Sequence, residues 1–518
     1  MRTLLFSTFI FLCVVSLYAQ APSIQWQKCL GGSAEDYCYA IKQTSDGGYV
    51  AGGRTSSGNG DVSGIHSSMG PAADVWLTKV NSAGTLQWQK CLGGSGDEEG
   101  YALEQTSDGG FILAGLAGCN DGDLSGYLGA GDFWVVKLDA LGSIQWQKCL
   151  GGSGYDIAYA AHQNNDGTYI VAGSSASTGG DVSANHGSDD FWVVKLDALG
   201  NLVWQKSLGG SGSDVAACLQ QTSDGAYVIA GHTFSNDGDV SGYLGQGNFW
   251  VVKLDTAGTL LWQKCLGGSA YTEQAFCIEA TSDGGVAVAG RSGSTDGDLT
   301  FNYGMADYWI VKLTSGGNLQ WQRSFGGTQD DIAWGIEQCS DGGYAVVGYT
   351  ESSDGNVSAN SGFSDLWLIK LDGNGNLQWE KSYGGSTGYD AGTSIVQTAD
   401  GGFIVGGYTS SADGDVSGLH GSSDFWLLKL NPETSGINGL RTEQEMKIFP
   451  NPSSGRFKIT DGATRDVKIK VRNIFGQTIS NIQLNEQDEI DLSAQPKGIY
   501  FVEMQCGNEC RKTKLVLQ

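Results

Sequence analysis

The sequence repeats itself seven times, and this periodicity constrains the fold more than any other feature. Tryptophan falls in two columns whose members are 58 or 59 residues apart at every step but one, where the step is 62. The first column is Trp26, Trp88, Trp146, Trp204, Trp262, Trp321 and Trp379, and the second is Trp76, Trp134, Trp192, Trp250, Trp309, Trp367 and Trp426. Only Trp334 lies outside both columns. Such a period is typical of a repeat architecture, in which each unit buries its apolar faces against its neighbours.

Each unit predicts four short strands, which we name A to D in chain order. In the third unit they are residues 158–163, 168–175, 190–197 and 201–210, rich in β-branched and aromatic residues that alternate with a period of two. Asp-Gly and x-Gly-Asn turns supply the positive φ that tight hairpins need. Four antiparallel strands repeated seven times over residues 24–430 predict an all-β, seven-bladed β-propeller.

The stretch "SIQWQKCLGGS" at 23–33 is a strand D with no strand C before it, whereas the seventh unit ends at its strand C, 424–431. We predict that 24–30 pairs with 425–430 and completes the last blade, so that the propeller domain covers 20–431. The glycine near the end of each strand B is expected to let backbones approach closely near the ring axis.

The N-terminus predicts export. Arg2, the apolar stretch from Leu4 to Val15 and the small residues Ala19 and Ala21 are typical of a signal peptide, assigned to residues 1–19. No later apolar run approaches the roughly 20 residues of a membrane helix. The net charge of −26 lies mostly in the repeats. This balance argues against nucleic acid and anionic membranes as partners, since phosphate binding needs a basic footprint.

The B-to-C loops carry acidic turns of the type "DGDVSG", all on one face of the predicted ring. Several oxygens in one tight turn suit calcium, which predicts a metal role for Asp121, Asp123, Asp237, Asp239, Asp296, Asp298, Asp413 and Asp415. The loops lack the 12-residue pattern and terminal Glu of an EF-hand. The alternative is that each Asp caps its own turn, with Gly at the bend.

One column varies while its neighbours stay constant. It is the residue after the strand-B glycine, and its polar or aromatic members are Arg54, His232, Arg291, Tyr349 and Tyr408. We predict that these five residues contact a ligand on the long-loop face. The alternative is an exposed edge position that tolerates any residue.

The sequence favours binding over catalysis. It contains no Ser/His/Asp set, no HExxH, no phosphate loop and no Cys/His pair, and the seven units are nearly interchangeable. We therefore predict a secreted or cell-surface binding or adhesion protein, with a glycan or protein ligand on the acidic face. Two alternatives stay open. One is a polysaccharide-degrading glycoside hydrolase that uses carboxylates of that face, and the other is a structural surface-layer component.

The composition changes after the repeats. Residues 432–445 form a polar linker, and the short alternating strands of 446–518 predict a small immunoglobulin-like β-sandwich. Cys506 and Cys510 flank a predicted hairpin tip, where they could form a small-loop disulfide in an oxidising compartment.

Several ordered motifs of this tail match a known family: Pro450-Asn451-Pro452, Phe475-Gly476-Gln477, Asp491-Leu492-Ser493, Pro496-Lys497-Gly498-Ile499-Tyr500 and Lys514-Leu515-Val516. The tail resembles the type A C-terminal sorting domain of the type IX secretion system of Bacteroidota. The resemblance implies that the secretion machinery is a partner, and that the protein crosses the outer membrane to be released or attached at the cell surface. It implies nothing about activity.

Overall fold

The computed structural model describes residues 20–66, 72–433, 447–460, 467–473, 477–484, 490–506 and 509–518. The predicted signal peptide and most of the predicted linker lie outside these residues. Every regular element in the described part of the chain is a β-strand.

The chain enters the ring through β1 (Ile24–Leu30) and then forms six blades of four antiparallel strands each. In blade 1 the strands A to D are β2 (Asp36–Gln43), β3 (Tyr49–Thr55), β4 (Asp74–Val80) and β5 (Leu86–Leu92); in blade 2, β6 (Glu99–Gln105), β7 (Phe111–Ala117), β8 (Asp132–Leu138) and β9 (Ile144–Leu150); in blade 3, β10 (Asp156–Gln163), β11 (Tyr169–Ser175), β12 (Asp190–Leu196) and β13 (Leu202–Leu208). In blade 4 they are β14 (Asp214–Gln221), β15 (Tyr227–Thr233), β16 (Asn248–Leu254) and β17 (Leu260–Leu266); in blade 5, β18 (Gln274–Ala280), β19 (Val286–Ser292), β20 (Asp307–Leu313) and β21 (Leu319–Phe325); in blade 6, β22 (Asp331–Gln338), β23 (Tyr344–Thr350), β24 (Asp365–Leu371) and β25 (Leu377–Tyr383).

The seventh blade joins the two ends of the propeller, as the sequence predicts. It contains β26 (Asp390–Gln397), β27 (Phe403–Thr409) and β28 (Asp424–Leu430), and β1 is its fourth strand. β1 pairs antiparallel with β28, with Leu30 opposite Phe425. The indole Nε1 of Trp426 donates a hydrogen bond to Gln27 Oε1 over 3.0 Å. The seven-bladed propeller is therefore confirmed, and so is its closure by the N-terminal strand.

The strand-C tryptophans are the core of the blade-to-blade contacts. All seven are fully buried. Trp250 packs on Phe191 of the preceding blade with ring centroids 4.5 Å apart, and its Nε1 donates to Gln263 Oε1 over 2.9 Å. A buried indole removes a large apolar area from water, and its N–H needs a partner. Both requirements are met by residues that recur with the repeat.

A close backbone contact fixes how strand A is built in every blade. A Cβ atom on the glycine that recurs near the end of each strand B would lie 1.7–2.0 Å from a strand-A carbonyl oxygen. These glycines are Gly53, Gly115, Gly173, Gly231, Gly290, Gly348 and Gly407. Opposite each of them the pairing register shifts and leaves out one strand-A residue, as in a β-bulge. The residues left out are Tyr39, Tyr101, Tyr159, Ala217, Phe276, Trp334 and Thr393.

The face that carries the short A–B and C–D turns is held by seven ion pairs between a strand-C lysine and the aspartate of the A–B turn. They are Lys79–Asp46, Lys137–Asp108, Lys195–Asp166, Lys253–Asp224, Lys312–Asp283, Lys370–Asp341 and Lys429–Asp400. Hydrogen bonds from Thr44 and Lys79 lower the pKa of Asp46 to about 2. The turn is thus tied to its own blade.

The C-terminal unit is a small β-sandwich, as predicted. One sheet has the order β29 (Lys447–Phe449), β30 (Arg456–Thr460), β33 (Ile490–Asp491), and the other has the order β32 (Thr478–Leu484), β31 (Val467–Asn473), β34 (Gly498–Cys506), β35 (Glu509–Leu517). Phe457 and Ile490 of the first sheet share one buried cluster with Ile469, Val502 and Leu515 of the second.

Deleting residues 20–33 should destabilise the propeller by at least about 5 kcal/mol. The deletion removes a hydrogen-bonded ladder and the buried side chains of Cys29 and Leu30, and it exposes the apolar strand β28. Chemical denaturation measures the difference, and Lys28→Ala, an exposed position in the same strand, serves as the control. A deletion variant as stable as the control would contradict closure by pairing.

The bulge contact predicts that alanine substitutions at two glycines of blade 3 differ strongly in their effect on stability. Gly173→Ala should cost about 3 kcal/mol, since its Cβ would meet the Ile157 carbonyl oxygen at 1.9 Å and backbone must move. Gly179→Ala should change stability by less than about 0.5 kcal/mol, because no atom lies within 4 Å of its Cβ. Urea unfolding of the two variants compares them. Equal unfolding midpoints would show that the close contact at Gly173 does not affect stability, which would contradict the prediction.

Candidate functional site

The strands A surround a central channel, which contains a cavity of about 1030 Å³. Its wall contains side chains of strand A and of the ends of strand B, and it receives residues from all seven blades, such as Tyr39, Tyr101, Tyr159, Phe276 and Trp334. These five are the bulged residues of their strands. The bulge therefore turns into the channel a side chain that regular alternation would place elsewhere.

Aromatic rings form a nearly continuous band around more than half of the channel. We call it the aromatic arc; its members are Tyr159, Tyr101, Tyr39, Tyr37, Tyr408, Trp334 and Tyr349. Tyr39 stacks on Tyr101 with ring centroids 5.2 Å apart and an interplanar angle of 25°. Tyr408 contacts Tyr37 edge-on at 4.8 Å and also approaches Trp334. The arc spans blades 3, 2, 1, 7 and 6.

A charged cluster supports the arc where blades 1 and 2 meet. The guanidinium of Arg54 lies 5.1 Å from the ring centroid of Tyr37 and forms an ion pair of 2.9 Å with Glu99. The hydroxyl of Tyr101 donates to Glu99 Oε2 over 2.6 Å. Burial, together with the Glu99 charge, raises the pKa of Tyr101. Tyr101 is therefore a neutral hydrogen-bond donor at any physiological pH.

A second ring of polar side chains lies further along strand A, toward the short turns. Lys42, Glu104, His162 and Gln220 line the cavity, and His162 Nδ1 lies 2.9 Å from Glu104 Oε2. Glu279 continues this ring in blade 5. Burial and the charge of Glu337, in the next blade, raise the pKa of Glu279 to about 8.

The structure brings the predicted ligand residues to the mouth of this channel. Arg54, His232 and Tyr408 line the cavity. Tyr349 packs against Trp334 with centroids 5.2 Å apart. Arg291 occupies the position of His232 in the neighbouring blade. Burial, followed by the charge of Arg291, lowers the pKa of His232 to about 4. Their contact with a ligand stays a prediction.

The sequence analysis missed the strand-A residues that form most of the channel wall. One signal was present, because Trp334 is the tryptophan that obeys neither repeat column. It occupies the bulge of β22. Residues that depart from an otherwise strict repeat thus mark the channel.

The acidic loops brace the turn that joins strand D to the next strand A. The first Asp of each predicted pair accepts a hydrogen bond from a serine N–H of that turn: Asp121 from Ser95, Asp237 from Ser211, Asp296 from Ser269 and Asp413 from Ser386. Asp123, Asp239 and Asp298 face a glycine N–H of the same turn at 3.2–3.4 Å, and Asp415 is tied through its own N–H to Gly384.

This arrangement supports turn capping as one role of the acidic loops. In the described part of the chain, no three or more His, Cys, Asp or Glu side chains are grouped so that they could hold a metal ion. Calcium binding by the loops stays a prediction. The proposed disulfide is likewise untested, because the side chains of Cys506 and Cys510 lie outside those that the structure describes.

Buried carboxylates occur in pairs on the same face, beside the first glycine of each D-to-A turn. In blade 5, a Cβ on Gly326 would lie 2.4 Å from Asp307 Oδ1 and 2.5 Å from Asp331 Oδ2. Asp307 Oδ1 is buried and has no hydrogen-bond partner. Burial, with a contribution from the Asp331 charge, raises the pKa of Asp307 to about 7.

One blade replaces this pair with an amide. Asn248 occupies the position of Asp307 in blade 4, and its Nδ2 donates to Glu273 Oε2 over 3.0 Å. An amide donor thus fits where an aspartate would have to be protonated to donate. The face that carries the acidic loops is therefore less negative at neutral pH than its number of aspartates indicates.

Fold and site together define a repeat protein: a seven-bladed propeller with an aromatic central channel, followed by a small β-domain. Among the described residues, no helix has the length and hydrophobicity that a membrane crossing requires. Residues 447–518 match the secretion system C-terminal sorting domain family. The chain is therefore a cargo protein of the type IX secretion system, and it is secreted or displayed at the cell surface.

The propeller is similar to part of one curated protein. Over 312 residues it is 25% identical to the regulatory protein FlaEY of Caulobacter vibrioides, a match that covers 55% of this chain and 31% of that protein. The chain thus spans about a third of that relative's length.

Two solved structures illustrate the likeness in fold. The Pan2 WD40 domain of Neurospora crassa is 10% identical, with a TM-score of 0.44, over 78% of this chain and 95% of that chain. An ulvan lyase, a polysaccharide lyase, is 11% identical, with a TM-score of 0.47, over 79% of this chain and 97% of that chain. A likeness at this level says nothing about function.

Asp307→Asn should stabilise the protein by about 1–3 kcal/mol at pH 8 and change it little at pH 4. Because the pKa of Asp307 is raised to about 7, the stability that its protonated form contributes is complete below the ordinary pKa of 3.8 and is lost as pH rises through 7. The amide removes this loss.

The reciprocal variant Asn248→Asp should destabilise the protein, increasingly so as pH rises, since it places a second carboxylate beside Glu273. Thermal unfolding between pH 4 and 8 measures both variants. A pH profile of Asp307→Asn parallel to that of the parent would contradict the protonated pair.

Proposed function

We propose that this secreted or surface-displayed propeller is a binding or adhesion protein whose central channel binds a carbohydrate chain. The observation that carries the proposal is the aromatic arc, which lies along one wall of a 1030 Å³ cavity. Cavities of about this size, lined by aromatic rings with a few placed polar groups, are typical of small-molecule sites.

The chemistry of the wall suits sugars. A pyranose presents an apolar C–H face, which packs on an aromatic ring, and a rim of hydroxyls, which need hydrogen-bond partners. The arc supplies the rings, and its tyrosine hydroxyls and Lys42 supply the partners. Aromatic side chains with a polar end lose little conformational entropy on binding, which suits a rigid recognition surface.

The aromatic arc is built from the repeated strands themselves and not from a loop inserted into one blade. Bulged residues of neighbouring strands A are held by the same backbone contact. The rings of Tyr39, Tyr101 and Tyr159 lie side by side, with successive centroids 5.2 and 5.0 Å apart. A chain-like ligand can therefore meet several rings in succession. Such multiple contacts suit adhesion to a polymer at the cell surface.

Glycoside hydrolysis is a second candidate, favoured by the carboxyls of Glu279 and Glu337. A raised pKa on one of two neighbouring carboxyls is the arrangement that retaining and inverting glycosidases use for a general acid. Burial and the Glu337 charge raise the pKa of Glu279 to about 8. These residues lie in strands A of blades 5 and 6 and not in the acidic loops, where the sequence analysis placed the candidate carboxylates.

A glycan array, followed by calorimetry with the glycans that bind, tests the proposal. We expect Tyr39→Ala and Trp334→Ala each to weaken binding about tenfold, because each removes a ring from the arc. Phe301→Ala is the matched control, since this aromatic residue is 55% exposed on a B-to-C loop and does not line the cavity.

Each other outcome points to a different function. Release of reducing ends from a bound polysaccharide, abolished by Glu279→Gln, would identify the hydrolase. Binding that the arc variants leave intact would place the ligand outside the channel. Retention of no glycan at all would favour a structural surface component or a protein ligand.

A further inference from the structure

The two arginines of the channel mouth differ in their partners. Arg54 and Arg291 occupy the same position in strand B, and they lie opposite Tyr37 in blade 1 and Gln274 in blade 5. Arg54 forms ion pairs with Glu99 at 2.9 Å and with Glu35 at 3.5 Å. The Nε of each arginine is buried without a partner. In the described part of the chain, however, Arg291 forms neither an ion pair nor a hydrogen bond through any of its nitrogens. A guanidinium carries five donors and stays charged, so one without an acceptor is unusual in a partly buried place.

A second unpartnered nitrogen lies in the next blade. His232 lines the cavity, and its Nδ1 is buried with no hydrogen-bond partner. Burial and the neighbouring Arg291 charge lower the pKa of His232 to about 4, so that the imidazole is neutral when the site is empty. Both side chains would gain from the same kind of ligand atom, a negatively charged oxygen.

The surroundings leave room for such a ligand. The aromatic arc ends on either side of blades 4 and 5. The bulge of blade 4 carries Ala217 in place of a ring, whereas the bulge of blade 5 carries Phe276, which lines the cavity. On one side Tyr349 occupies the same position as Arg291 in the following blade, opposite Ile332 of strand A. The small side chain of Ala217 therefore leaves space in the blade that carries His232 and its unpartnered nitrogen.

We propose that Arg291 and His232 form an anion subsite at the channel mouth, which takes the carboxylate or sulfate group of an acidic sugar. A guanidinium binds either group through two parallel hydrogen bonds, and the imidazole adds a third donor once it is protonated. The net charge of −26 repels anions at long range, so the subsite selects by local contacts and not by electrostatic steering. The sugar part of this proposal rests on the proposed function, whereas the anion part does not.

Inorganic sulfate tests the anion part with the full chain. We expect sulfate to raise the pKa of His232 from about 4 toward its ordinary value of about 6.5, since a bound anion stabilises the imidazolium. The ring C–H resonance of His232, assigned with His232→Asn, reports this shift. Arg291→Gln should weaken sulfate binding at least about tenfold. Arg323→Gln, which makes the same charge change on an outer strand D, should bind sulfate as the parent does.

Glucuronate and glucose test the sugar part. We expect the parent to bind glucuronate about tenfold more tightly than glucose, and Arg291→Gln to bind both equally. Calorimetry measures the affinities of the parent, Arg291→Gln and His232→Asn. Their melting temperatures show whether each variant is folded. His232→Asn should also weaken glucuronate binding, and it tests the contribution of blade 4 to the subsite.

The outcomes separate the two proposals. A His232 pKa that sulfate leaves unchanged in the parent would overturn the anion subsite, and so would unaltered sulfate binding in Arg291→Gln. Equal affinity of the parent for glucuronate and glucose would overturn its role in sugar selection. A sulfate-dependent shift in a protein that binds no sugar would keep the subsite and refute the proposed function.

Discussion

A contact between two backbones, repeated in every blade, governs the rest of the propeller. The strand-B glycine lies against a strand-A carbonyl oxygen, so close that no Cβ could be accommodated. This closeness goes with a bulge in strand A, and the bulge turns one residue into the channel. The contact is constant, but the residue that it presents is free to vary. A scaffold built on fixed glycines can therefore change its channel wall without changing its fold.

Much of the fold could be predicted because its determinants recur at a fixed spacing. The two tryptophan columns gave the blade count, and the unpaired strand at 24–30 gave the closure. The sorting domain was recognisable because motifs such as Pro450-Asn451-Pro452 are local in sequence. None of these features requires knowledge of long-range geometry. In the propeller, the repeat itself indicates which strands are neighbours.

The candidate site could be predicted only in part. The strand-B column was found because Arg54 and His232 differ where the repeat is otherwise constant. The strand-A residues were missed because a bulge breaks the period-two alternation from which their direction would be read. The carboxylates of the acidic face were assigned to calcium or turn capping from composition, which does not distinguish exposed acids from buried ones. Asp121 is exposed on its loop, whereas Asp307 is fully buried.

The closure of the ring also determines when the propeller can finish folding. Gln27 and Trp426, which share a hydrogen bond, are 399 residues apart. Contacts of such sequence separation make folding slow, because a long chain must be searched before they form. The first six blades can form in succession, each from local hairpins. The seventh must wait until β28 has emerged, and until then β1 has no partner strand. An exported chain of this design thus becomes a ring only when almost its whole length is available.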